Sequence, residues 1–134
     1  MIYLLDTNVW VQFLRNCNAL VVQRMHAHQP SELRICTVTA AELYFGCLKS
    51  AKPAAHRATV DAVLVPYLCL PFDLAAADEF AAIRRYLEAL GTPIGPYDMQ
   101  IAAIARALGC TLVTHNTSEF SRVPGLTLED WELP

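Results

Sequence analysis

Hydrophobic and polar positions along this chain change period repeatedly, and each change marks an element. Residues 2–5, Ile-Tyr-Leu-Leu, form a short apolar run that stops at Asp6. Such a run reads as a buried strand whose end delivers polar atoms to a surface. In residues 7–15, Val9, Trp10, Phe13 and Leu14 recur at helical spacing, so a helix starts just beyond Asn8. Residues 19–28 read as a second helix closed by Gln29-Pro30, and residues 33–38 as a second strand. Thr39-Ala40-Ala41-Glu42 has the spacing of a capping box and opens a helix to about Ser50.

Pro53 starts another helix, through residue 64, and residues 67–72 read as a third strand. Along residues 74–90 the apolar stripe is Ala76, Phe80, Ile83, Leu87 and Leu90. This amphipathic helix ends at Gly91, and Pro93 forbids continuation. Tyr97-Asp98 opens a helix with Ile101, Ile104, Ala105 and Leu108 inward, closed by Gly109. Residues 110–114 read as a fourth strand. Asn116 and Glu119 repeat the capping-box spacing, and Leu126-Thr127-Leu128 reads as an edge strand before Trp131. Alternating strands and helices imply an α/β fold, a parallel sheet with helices on both faces. Residues 1–134 are expected to form one domain.

Composition changes this picture little. Apolar residues make up 54% of the chain and mean hydropathy is +0.31, which points to apolar surface covered by a partner. The longest apolar run, residues 62–72, is interrupted by Pro66 and Pro71 and is too short to span a bilayer. The N-terminus lacks the features of an export signal, so the expected location is cytoplasmic. The five cysteines, Cys17, Cys36, Cys47, Cys69 and Cys110, are widely spaced and read as reduced core residues. His56 and His115 stand alone, and all four histidines, His26 and His28 included, read as surface residues. The net charge of −3 is unlike that of most nucleic-acid binders, but bound cations invert the field of clustered acids.

Asp6, Glu42 and Glu119 each lie just past a predicted strand end, and Asp98 lies at a helix start. In parallel sheets ligands bind outside the carboxyl ends of the strands. Crowded carboxylates need protonation or a cation, and oxygen donors without Cys or His favour Mg²⁺ or Mn²⁺. Such centres hydrolyse phosphodiesters by lowering the pKa of a coordinated water. Thr7 and Asn116 are placed to orient the carboxylates. Lys49, on nearly the same helix face as Glu42, joins Lys52, Arg84, Arg85, Arg106 and Arg122 as candidates for phosphate contact. Trp10, Phe13, Tyr44 and Phe45 read as core, with one or two exposed if a partner docks there.

Residues 4–8 (Leu-Leu-Asp-Thr-Asn), 39–43 (Thr-Ala-Ala-Glu-Leu), 95–102 (Gly-Pro-Tyr-Asp-Met-Gln-Ile-Ala) and 112–120 (Leu-Val-Thr-His-Asn-Thr-Ser-Glu-Phe) together resemble a PIN-domain ribonuclease. The set is similar to the VapC toxins of bacterial type II toxin–antitoxin pairs, and residues 123–131 fit the same group. The resemblance implies a three-layer α/β/α domain with a mainly parallel sheet. It also implies Mg²⁺- or Mn²⁺-dependent endoribonuclease activity on RNA, homodimerisation and inhibition by a cognate VapB-type antitoxin. Asp6, Glu42 and Asp98 match the three principal acids, and Glu119 falls at the more variable fourth acidic position. Asn116 and Thr7 match supporting polar positions. Two other readings are a catalytically silent PIN-fold module that binds antitoxin or RNA, and a metal-dependent nuclease acting on DNA.

Overall fold

The computed structural model describes residues 1–134. It contains strands β1 (Tyr3–Leu5), β2 (Leu33–Cys36), β3 (Leu68–Leu70), β4 (Thr111–Val113) and β5 (Leu128–Glu129). Around them lie helices α1 (Thr7–Arg15), α2 (Ala19–Ala27), α3 (Thr37–Leu48), α4 (Pro53–Leu64), α5 (Leu74–Leu90), α6 (Pro96–Leu108) and α7 (Thr117–Phe120). The strands pair in the order β3-β2-β1-β4-β5, and every pairing is parallel.

Side chains alternate across a strand, and that alternation divides the core. Leu4, Cys36 and Leu112 face one way and pack with Ile83, Leu87, Ile101, Ile104 and Phe120 from α5, α6 and α7. Leu5, Ile35 and Val113 face the other way, against Trp10, Val21, Met25, Leu43 and Val60 from α1 to α4. The result is the expected three-layer α/β/α arrangement, with both faces of the sheet covered.

Where the structure departs from the sequence reading, the cause is local. β2 stops at Cys36 and α3 begins at Thr37, because the apolar pattern through Val38 suits a helix start as well as a strand. Thr39 therefore lies inside α3, whose N-cap is Cys36 with no side-chain cap bond. Gly91 and Gly109 end α5 and α6 at φ +68° and +66°, the left-handed geometry that glycine tolerates. Leu90 and Leu108, just before them, remain 59% and 56% exposed. Periodicity identifies the inward face of a helix but not how far its neighbour extends along it.

All five cysteines are free, and Cys17 and Cys69 are exposed rather than in the core. Trp10 is fully buried, 4.9 Å from Tyr67 in a T-shaped pair, while Phe45 is 61% exposed. The C-terminal segment is tied down by Arg24, which donates to the carbonyls of Asp130 at 3.1 Å and Leu133 at 2.7 Å. No helix is long and apolar enough to cross a membrane.

Candidate active site at the carboxyl edge of the sheet

The chain leaves β1 for β2 and β3 on one side and returns to β4 and β5 on the other. The crevice beyond β1 and β4 is thus the topological switch point, where doubly wound sheets bind ligands. Asp6 sits immediately past β1, its N–H donating to the Val113 carbonyl at 3.0 Å. Its Oδ1 accepts from the Val9 N–H at 3.1 Å and so caps α1. Capping and site placement are here properties of one residue.

Glu42 reaches the same edge from within α3. Its Oε1 accepts from the Thr7 hydroxyl at 2.7 Å, and that hydroxyl lies 3.1 Å from the Thr39 Oγ1. The capping box expected at Thr39 and Glu42 is therefore absent, because both side chains are engaged by Thr7 from the start of α1. Asp98 enters in the first turn of α6. Glu119 lies on α7, and Asn116 Nδ2 donates to its Oε2 at 3.0 Å. Asn116 occupies the N-cap position of α7 without a side-chain cap bond, so this second box is replaced by a direct amide–carboxylate contact.

The electrostatics join these groups. Asp6 is 5% exposed and its carboxyl is pushed up to about 6, chiefly by burial, with Asp98 and Glu132 adding to the rise. The Thr114 hydroxyl and the Val9 N–H oppose it. Asp98 is raised by burial and then by the charges of Glu119 and Glu42. No Lys, Arg or His forms an ion pair with any of the four acids. They form a half-buried anionic edge without a protein counter-charge, and their donors are all oxygen. That chemistry fits a hard divalent cation. No three of the four close to within 4.8 Å of one another.

Thr7, Glu42, Phe45, Lys49 and Tyr97 line a groove of about 530 Å³ beside the acids. Lys49 lies over the Phe45 ring at 4.7 Å. Lys52 and Arg85 are exposed, and Arg84 pairs with Glu88 at 2.9 Å. Arg106 is engaged by Glu79 and the Pro124 carbonyl, and Arg122 by the Pro93 carbonyl. A second cavity, about 550 Å³, lies along α1 and contains Asn8, Gln12, Arg15 and Asn116. The sequence reading overlooked its α1 wall, although positions 8, 12 and 15 form a polar stripe at helical spacing. His115 opens into the same cavity and is not solitary: its Nδ1 lies 2.9 Å from Asp130 Oδ2.

The PIN domain family model matches residues 3–126. The chain is 39% identical over 129 residues to the tRNA(fMet)-specific endonuclease VapC of Shigella flexneri, a match covering 96% of this chain and 97% of that protein. Ribonuclease VapC2 of Haemophilus influenzae strain Rd is 33% identical, with the same coverage of 96% and 97%. Among solved structures, a chain of the DNA-bound VapBC of Salmonella typhimurium matches with a TM-score of 0.91 and 35% identity, covering 98% of each chain. With sequence and backbone agreeing from β1 to beyond α7, the chain belongs to the PIN domain family, among its VapC ribonucleases.

Proposed function

We propose that this protein is the toxin of a type II toxin–antitoxin pair, an endoribonuclease that hydrolyses RNA phosphodiester bonds with Mg²⁺ or Mn²⁺. The observation that carries the reading is the meeting of Asp6, Glu42, Asp98 and Glu119 at one sheet edge with no cation of their own. Asp6, Asp98 and Glu42 hold the ion, and Glu119 completes the pocket. When bound, such an ion lowers the pKa of water and offsets charge on the phosphate and leaving oxygen. The Thr7 hydroxyl fixes Glu42 through Oε1. Asn116 fixes Glu119 through Oε2, leaving its Oε1 to accept a proton from the attacking water. Lys49, Lys52, Arg84 and Arg85 meet the RNA phosphates.

The names of the relatives narrow substrate and partner. The Shigella protein is named for tRNA(fMet), so initiator tRNA is the proposed RNA. The Salmonella relative is solved as a VapBC complex, and a VapB-type antitoxin is the proposed inhibitor here. The exposed Phe45 and Tyr97 beside Glu42 offer it apolar anchors. A second copy of the chain covers further exposed apolar surface, and the complex works in the cytoplasm.

The test is incubation of purified protein with initiator tRNA, bulk RNA and single-stranded DNA of matching sequence, in Mg²⁺, Mn²⁺ or EDTA. Discrete metal-dependent cuts in RNA, strongest in the initiator tRNA, are expected. Cutting of DNA alone, or none by folded, inhibitor-free protein, would overturn the reading.

A further inference from the structure

His115 lies 15 residues before Asp130, yet it brings a ligand atom within 4.8 Å of those of Asp130 and of Glu132, which are themselves as close. His115 Nδ1 is 2.9 Å from Asp130 Oδ2 and 3.9 Å from Glu132 Oε2. Ligands about 2.0–2.1 Å from a tetrahedral Zn²⁺ stand about 3.4 Å apart, midway between these values. The carboxylates are oriented from behind. Asp130 Oδ1 accepts from the Glu132 N–H at 2.9 Å, and Glu132 Oε1 accepts from Asn18 Nδ2 at 3.5 Å. Their other oxygens are thereby left toward His115, as outer partners do around metal ligands. Trp131, between them, is 2% exposed and anchors the segment.

A second observation comes from the cavity wall. His115 and Glu132 line the 550 Å³ cavity together with Gln12 and Cys17. That cavity is open to solvent and gives an ion a path to these ligands. The two carboxylates are only 11% and 17% exposed, and a neutral imidazole does not balance their charge. Mixed nitrogen and oxygen donors select a borderline transition ion over Mg²⁺, in contrast to the all-oxygen edge beside Asp6.

We propose that His115, Asp130 and Glu132 form a second cation site, for an ion of the Zn²⁺ class, which straps the C-terminal segment to the loop carrying Asn116. Binding replaces any proton on His115 Nδ1, which passes to solvent. Asn116 holds Glu119, so an ion here stiffens one wall of the candidate active site.

The test is a Zn²⁺ titration of the full-length protein, followed by calorimetry and by imidazole nitrogen NMR. His115→Gln, Glu132→Gln and Asp98→Asn are compared with the unaltered chain. The ring resonances of His115 are expected to shift with one equivalent of Zn²⁺, and to do so equally in Asp98→Asn, where the acid edge is disabled. His115→Gln and Glu132→Gln should each weaken that binding by at least about tenfold. Unmoved His115 resonances at saturating Zn²⁺, or unchanged affinity and stoichiometry in both cluster variants, would reduce the cluster to an ion pair and overturn the proposal.

Discussion

Two groups of acids lie near the carboxyl edge of the same sheet, and they solve the problem of charge differently. Asp130 and Glu132 have His115 beside them, a partner that supplies a positive charge by taking a proton. Asp6, Asp98, Glu42 and Glu119 have none; only neutral groups, Thr7 and Asn116, touch Glu42 and Glu119. Burial and mutual repulsion accordingly raise Asp6 and Asp98, while hydrogen bonding to Asp130 raises His115. The second group has one internal counter-charge for two carboxylates and is offset in part within the protein. The first is stabilised only by a proton or an added cation, which is the property a metal-dependent centre requires.

The largest effect that would break this contrast is on activity. Asp98→Asn removes one anion from the unbalanced group, and RNA cleavage should fall about a thousandfold, since a bound cation contributes several kcal/mol at the transition state. Rates on a defined RNA at fixed Mn²⁺ check it.

Next comes a gain in stability. The folded Asp6 carboxyl is raised from 3.8 to about 6, so the folded state binds more protons than the unfolded one between these pH values. Stability of the metal-free protein therefore falls as pH rises across that window and stays lower above it. Asp6→Asn keeps a capping acceptor for Val9 and should raise stability at pH 7 by up to about 3 kcal/mol, with little gain below pH 4. Urea unfolding in EDTA at both pH values tests this.

Thr7→Val should act more mildly. It frees Glu42 Oε1 from its donor and is expected to lower metal affinity or turnover by about 10–100-fold, measured by Mn²⁺ titration and initial rates.

The smallest effect belongs to the group that holds His115. His115 is raised above 6.5 by Asp130 and then Glu132. Its contribution to stability is full below the unfolded value and is lost as pH rises through the folded one. His115→Gln should flatten this dependence, so melting temperatures of the two proteins should converge toward pH 9.

The sheet and its helices were legible because their signals are local. Leu4 and Leu5 announce opposite faces by simple alternation, and Gly91 and Gly109 announce helix ends by backbone geometry. The acids at strand ends were legible through topology, which brings such ends to one edge. Their partners were not. Thr39 and Glu42 carry the letters of a cap, but Thr7, distant in sequence, engages both. His115 looked solitary for the same reason, since Asp130 and Glu132 reach it only after β5 pairs with β4.

The central claim is that the unbalanced acids act through a hard cation, and one titration tests it most directly. Mn²⁺ occupancy, read by electron paramagnetic resonance, is followed beside RNA cleavage in the same samples of the unaltered chain and Asp98→Asn. Cleavage should rise in step with occupancy in the unaltered chain, and both should be lost in Asp98→Asn and in EDTA. Cutting that continues undiminished in EDTA, or in Asp98→Asn without bound Mn²⁺, would contradict it.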